Sequence, residues 1–451
     1  MLRRFLPAAT LAVAVLWTPA SAQGVEPGMP AADGRPMLWP AAIAVPENAG
    51  HGLPVMVTHY GFVDGSAELV VPAGYTSYSY CADTEGRPAA VLARGNQGSD
   101  LIDFTGEVVG HLASGHSECV GTDHLITAGL VDGQWGFGVV EAATGDPVLD
   151  PAARQKVVAV TSGVVNVSRP QGEYFLDLGS GVSSPHPGRV TVAGLEPGAP
   201  GVPAEEDRSA NGTPAGRLGY LSRSGEWLLP PQFDTASAFR SGYAVVGQGG
   251  RQTFLDTGLR RVGGEWDRIR PITVPAALGE RVIGYWVEAD DRRGLLDAEL
   301  RTVVQPGPGR IDCDADALGV CAVVAPDGSA DLVPLPQGGA TTLPAGFTRV
   351  LNPGMVADRP SPGKAAETRI RSLISGRTVT VPGAAGCRGV GQLFVSCPGS
   401  VVLDAGGEQT GFRSVAVVAD PAGGLAYYWV TTDTEQGFLD PDGRWRYRAR
   451  R

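Results

Sequence analysis

Lysine is almost missing from this chain of 451 residues: Lys156 and Lys364 are the whole complement, so nearly all positive charge is arginine. The 36 basic residues are outnumbered by 47 acidic ones, and the formal net charge is −11. A surface this acidic repels phosphate backbones, which argues against nucleic acid as a partner. Catalytic motifs are lacking as well. No GxSxG elbow and no GxxxxGK[ST] loop occurs, and Gly247-Gln248-Gly249-Gly250 has no helical pattern behind it to offer an anion site. No cofactor is expected. Beyond the N-terminus no apolar run is long enough to cross a bilayer, and the 64 Gly and 36 Pro leave no room for long helices.

What is present begins with MLRRFLPAATLAVAVLWTPASAQ. Arg3 and Arg4 precede the apolar run Leu11 to Trp17, and Ala20-Ser21-Ala22 supplies the small residues of a cleavage site. Residues 1–22 therefore read as a Sec-type signal peptide, with a periplasmic or secreted mature chain starting at Gln23. Six cysteines follow: Cys81, Cys119, Cys313, Cys321, Cys387 and Cys397. An even number behind a signal peptide points to disulfides. Spacing favours Cys313–Cys321 and Cys387–Cys397 as local staples, which leaves Cys81–Cys119 to join neighbouring units. The rival reading, metal ligands, lacks any CxxC pair.

The chain repeats itself. The clearest copy is Gly216 to Asp256: Leu218-Gly219-Tyr220-Leu221, a turn at Ser224-Gly225, Trp227-Leu228-Leu229, Pro230-Pro231, Phe233-Asp234, Phe239, Ser241-Gly242, and Tyr243-Ala244-Val245-Val246. Runs of three to five apolar residues ended by Gly, Pro or Asp read as short β-strands. An apolar pair followed by an acidic residue and a second apolar run recurs at Asp64, Asp103, Glu141, Asp177, Asp256, Asp297, Asp404 and Asp440, with a Gly turn at all but Asp297, and Val323-Val324 with Asp327-Gly328 is a further copy. The first three steps are 39, 38 and 36 residues, the mark of a repeat architecture. An Asp there accepts backbone N–H groups and fixes an Asx turn, and the following Gly supplies positive φ. The second apolar run reads as a strand buried on both faces and ended by its Pro. The recurring aspartates are turn formers on this reading, not catalytic acids.

Trp135-Gly136-Phe137, Gly61-Phe62-Val63-Asp64 and Gly437-Phe438-Leu439-Asp440 resemble the WG-repeat family, whose unit runs Trp-Gly-Phe-Ile-Asp, a Gly turn, Val-Ile-Pro, Tyr-Asp, then Phe-x-x-Gly-Leu-Ala-x-Val. Residues 219–246 follow most of that order, with Leu218 where Trp is usual and Ser222 in place of the Asp. The resemblance spans 56–451 in diluted form and is specific for 130–150, 216–256 and 436–445. It implies a β-rich scaffold that binds something, and it carries no catalytic residue to transfer.

Other clusters have plainer readings. His111, His116, Cys119, Asp123 and His124 match no defined ligand spacing and read as a polar loop. Asp312, Asp314 and Asp316 fail the EF-hand pattern and read as an acidic hairpin tip. Tyr78 and Tyr80, with Tyr75 nearby, share a strand face that suits ordinary packing or a sugar or peptide contact. The alternation of arginines with Trp445 and Tyr447 at the end suits a last, half-exposed strand.

The expected protein is all-β, built from short antiparallel strands in a β-propeller-like ring, with an open β-repeat array as the alternative. It comprises the signal peptide (1–22), a Pro/Ala/Gly-rich leader (23–55), N-terminal repeats (56–179), a flexible excursion or linker (180–215) and C-terminal repeats (216–451). The expected function is non-catalytic binding or scaffolding toward a protein, peptide or glycan of the cell envelope. The alternative is a secreted hydrolase or lyase with acidic residues at the centre of a ring.

Overall fold

The computed structural model describes residues 31–450 apart from 32–33, 35, 49–53, 114–116, 192–195, 197, 207–215, 315–318, 336–339, 344–346, 359–366, 383–385 and 421–423. The expected signal peptide (1–22), His51, His116 and Asp316 lie outside the described residues. Within them there is no helix. Eleven small antiparallel sheets follow one another along the chain as the blades of a β-propeller. Blades 1 to 11 cover 39–75, 77–112, 117–149, 156–186, 188–233, 235–266, 268–307, 310–342, 347–382, 388–404 and 414–450. Each is a meander in which consecutive strands pair, with three strands in blades 1 and 10 and four in the others. The first strand of blade 3 touches the first strands of blades 2 and 4.

The ring closes, which removes the open array. Trp39, Ala41 and Val63 of blade 1 pack with Ala426, Tyr427, Trp429 and Phe438 of blade 11 in one buried cluster, and Trp39 meets Tyr427 edge-on at 4.9 Å between ring centroids. A long hairpin of blade 7, Arg268–Ala276 and Gly279–Ala289, reaches the same seam. There Ala277 packs on the cluster, and the Gly424 N–H donates to the Pro275 carbonyl at 3.1 Å.

The signature has a steric reason. In the strand next to the outer one the glycine lies beneath the outer strand, where a Cβ would sit 2.6 Å from the Val71 carbonyl oxygen at Gly61 and 2.8 Å from that of Val304 at Gly294. The pairing register shifts at these points, so the outer strand bulges inward over a residue that must have no side chain. The prolines therefore do not end the strand, as the sequence suggests. Trp227–Phe233 runs through Pro230 and Pro231, and Leu69–Tyr75 through Pro72, because an outer strand has N–H groups to spare. For the same reason the second apolar run is not buried on both faces: Leu69, Val108, Val109, Val148 and Leu228 are exposed. The buried strand is the one next to the outer strand, with Phe62, Ile102, Phe175, Tyr220, Phe254 and Phe438 at its centre.

Two expected segments are corrected. The leader holds the first strand, Trp39–Asn48, paired along its length with Pro54–Val63. The excursion contributes Ser183–His186 to blade 4 and Gly188–Val190 and Val202–Glu206 to blade 5. Backbone pairing does not need large side chains, so a Pro- and Gly-rich stretch can enter a ladder that the apolar pattern hides.

Candidate binding cleft between blades 6 and 7

The aspartates come first, because their chemistry decides what the loops can do. Asp64 Oδ1 accepts the N–H groups of Ser66 and Glu68, both at 2.9 Å. Asp103, Asp297 and Asp440 repeat this pattern two and four residues on. Ser222, which stands where the signature has Asp, takes the same N–H groups on its hydroxyl at 3.2 Å. At Asp64 and Asp103 burial pushes the carboxyl pKa up, but the hydrogen bonds outweigh it and hold both below the ordinary range. Each of these carboxylates is occupied by its own turn.

Those turns join the last two strands of a blade, and between blades 6 and 7 two such turns, after Asp256 and Asp297, flank a cleft of about 360 Å³. Blade 6 lines it with Ser241, Gly242, Tyr243, Asp256 and Thr257, and blade 7 with Arg281, Val282, Ala298 and Glu299. The first-to-second strand connection of blade 6 buries Phe239 and then turns left-handed at Ser241 (φ 50°) and Gly242 (φ 85°). Two bonds hold Ser241 in that region. Its N–H donates to the Glu196 carboxylate at 2.5 Å, and its hydroxyl donates to the Val282 carbonyl of blade 7 at 3.3 Å. Glu196 belongs to blade 5, so three blades meet here.

Charges at the cleft are partly shared: Arg301 serves both Asp297 and Glu299, and Arg281 adds a further positive charge to the lining. Asp256 receives Arg260 at 2.8 Å, Glu299 receives Arg301 at 3.0 Å, and Arg240 lies 4.0 Å from Glu280. The Arg260 N–H and guanidinium hold the Asp256 carboxyl below its usual value. Burial holds Glu196 above its usual value, against the pull of the Ser241 N–H and of Arg240. Val282 is buried behind the cleft, and the half-buried Tyr243 ring packs on Phe254 at 6.4 Å.

The residues singled out in the sequence are dispersed. Tyr78 and Tyr80 pack edge-on at 5.9 Å, and the Tyr80 hydroxyl donates to the Leu38 carbonyl at 2.7 Å. Both rings pack on the core between blades 1 and 2, so packing is their role. The Tyr75 hydroxyl donates to Asp100 at 2.6 Å, and Asp100 meets His111 Nδ1 at 2.6 Å. Cys119 is bonded to Cys81, and His124 opens the next strand. Asp312 is exposed and pairs with Arg310 at 2.8 Å. Among the described residues no three His, Cys, Asp or Glu side chains form a group that could hold a metal. Sequence reasoning missed Glu196, whose Pro/Gly-rich surroundings carry no periodic signal, and Arg281, one arginine among many.

The cysteines pair as their spacing favours. Cys81–Cys119 links the first strands of blades 2 and 3, Cys313–Cys321 sits directly across a hairpin of blade 8, and Cys387–Cys397 staples blade 10. Six oxidised cysteines fit an oxidising, extracytoplasmic compartment. Among the described residues no helix is long and apolar enough to cross a membrane.

No curated protein matches the chain. Among solved structures, a eukaryotic initiation factor is 11% identical with a TM-score of 0.39, over 77% of this chain and 96% of that one. An uncharacterized protein of Listeria monocytogenes EGD-e is 7% identical (TM-score 0.28, 67% and 94% covered), and BamB of Moraxella catarrhalis is 12% identical (TM-score 0.21, 66% and 92% covered). The model of the WG containing repeat matches residues 219–251, which run from the third and fourth strands of blade 5 into the first two of blade 6, so the sequence unit straddles two blades and ends beside the cleft.

Proposed function

We propose that this chain is a non-catalytic binding scaffold of the periplasm or the cell exterior, taking a protein, peptide or glycan of the cell envelope as its partner. The observation that carries this reading is the use of the recurring carboxylates. The turn aspartates of blades 1, 2, 7 and 11 accept their own backbone N–H groups, which leaves them with a structural task. A ring made rigid in this way holds variable loops in fixed positions, the usual arrangement of a binding face. Three disulfides support the compartment.

A pull-down from envelope extract with residues 23–451, kept oxidised, tests the proposal. Retention of one abundant partner by the oxidised ring and not by the reduced, unfolded chain is the expected result. No retention, together with turnover of a glycan or peptide substrate, would overturn it in favour of a secreted hydrolase or lyase.

A further inference from the structure

We propose that the inner rim of the ring, at the end where the first strands of the blades begin, is a docking surface for an acidic polysaccharide, an inference that rests on the binding-scaffold reading and names its ligand class. In the four-stranded blades the last strand is the outer edge, so the first strand is the inner one. The first strand of blade 3 touches those of blades 2 and 4, and that of blade 10 touches those of blades 9 and 11. Blades 2 to 11 repeat one another by rotation about the axis, so their first strands run in one sense and share a starting end. Basic residues collect there. Lys156, Arg268, Arg310 and Arg388 open the first strands of blades 4, 7, 8 and 10, Arg189 is second in that of blade 5, and Arg349 is third in that of blade 9. All six residues are exposed. Neighbouring blades cover both faces of a sheet, so an exposed side chain on an inner strand reaches the central opening.

Most of this charge is uncompensated. Arg189 is paired with Glu205 and Arg310 with Asp312, and Arg349 donates to the Cys387 carbonyl, which leaves its charge in place. Among the described residues Lys156, Arg268, Arg349 and Arg388 form no ion pair, and Glu288, across the ladder from Arg268, is taken by Arg293 at 3.7 Å. The exposed acid Glu118 belongs to blade 3, outside the arc from blade 4 to blade 10. Antiparallel pairing makes the third strand run with the first, so Asp103, Asp177, Asp256, Asp297 and Asp440, which end or follow third strands, lie at the opposite end of the ring. A chain with a net charge of −11 thus keeps a basic inner rim apart from its turn carboxylates. Low-dielectric walls around an opening focus such a field on an anion.

The arrangement selects the ligand. Cations standing on six blades are too widely spread for one small anion and suit a polymer whose charges recur along its length. Guanidinium groups clasp carboxylate and phosphate in a bidentate manner. A folded acidic protein fits less well, because none of the exposed large hydrophobic residues lies on a first strand and the rim lacks the apolar centre of a protein interface.

The test titrates the oxidised protein with polygalacturonate, phosphorylated dextran, plain dextran and polyglutamate, beside two variants that each lose three positive charges. One carries Lys156→Gln, Arg268→Gln and Arg388→Gln at the rim, and the other carries Arg223→Gln, Arg240→Gln and Arg444→Gln in connections at the opposite end. Unchanged circular dichroism shows that both fold. Binding of polygalacturonate, phosphorylated dextran or both by the wild type is expected, at least about tenfold weaker in the rim variant and less than about twofold weaker in the other. Wild-type affinity should also fall at least about tenfold between about 50 and 500 mM salt, because the contacts are exposed charges. Binding of polygalacturonate alone identifies carboxylate as the recognised group, and of phosphorylated dextran alone, phosphate. Equal binding of plain dextran, binding of polyglutamate alone, equal weakening in the two variants, or no polysaccharide binding overturns the proposal. A partner retained from envelope extract, with no acidic polysaccharide bound, would leave the scaffold reading standing while the rim assignment falls. No binding in either assay would remove both.

Discussion

Asp297 offers the sharpest test of how this ring is built, because its side chain is only 1% exposed. Oδ1 accepts the Glu299 N–H at 3.0 Å and the Arg301 N–H at 2.8 Å, and Oδ2 accepts Arg301 Nε at 2.7 Å. Replacing Asp297 with Ala leaves two turn amides without their charged acceptor. Such bonds are worth about 1.5–3 kcal/mol each, and the low end applies to a turn that water can enter. The Arg301 ion pair adds little, since that arginine is 70% exposed and screened by solvent. The expected loss is therefore about 3 kcal/mol for Asp297→Ala and about 1 kcal/mol for Asp297→Asn, which keeps a neutral acceptor. Ser222→Ala, in the turn already served by a hydroxyl, should cost about 1 kcal/mol. The melting temperature is a blunt readout: at about 2.1 cal/mol/K per residue, a ring of this size shifts by only about 1 °C per kcal/mol. Hydrogen exchange reads the turn directly. The Glu299 and Arg301 amides should exchange about 100-fold faster in Asp297→Ala and about fivefold faster in Asp297→Asn. Equal exchange in both variants, or none beyond wild type, would refute the claim that the carboxylate holds the turn.

Three further outcomes follow from the same structure. The Asp64, Asp83, Asp103 and Asp177 carboxyls titrate below their ordinary values, so their stabilisation is complete above the unfolded value of about 3.9 and drains as pH falls through the lower folded values; urea midpoints measured from pH 6 downward should hold to about pH 4 and then drop, and a flat profile would contradict this. Opening Cys81–Cys119 with Ser at both positions should cost about 4 kcal/mol, against about 2.5 kcal/mol for Cys313–Cys321, because the separations are 38 and 8 residues; comparable urea midpoints for the two variants would argue against a loop-entropy origin. Gly294→Ala places a Cβ against the Val304 carbonyl and should cost about 1–3 kcal/mol, seen as faster exchange along Thr302–Gly307, whereas wild-type protection there would show that the bulge has room for a side chain.

The amino-acid sequence by itself determined the strands, the turn chemistry and the repeat. An Asp after an apolar pair is a local instruction whose hydrogen bonds reach no further than four residues, but the expected Gly holds the left-handed position only in some turns, as at Gly106 and Gly443, while Ala67, Leu259 and Leu300 hold it in others. Cysteine pairing was legible for a related reason: eight- and ten-residue spacings close within a hairpin, which leaves one remaining pair. Tertiary structure decided the rest, because the rest depends on neighbours. Whether Leu69-Val70-Val71 is buried depends on its place as the outer strand of a blade, not on its own apolar character. Closure depends on Trp39 meeting Tyr427, residues at opposite ends of the chain. The cleft likewise needs Glu196, Ser241 and Val282 from three blades, and no local pattern records a contact that only the closed ring creates.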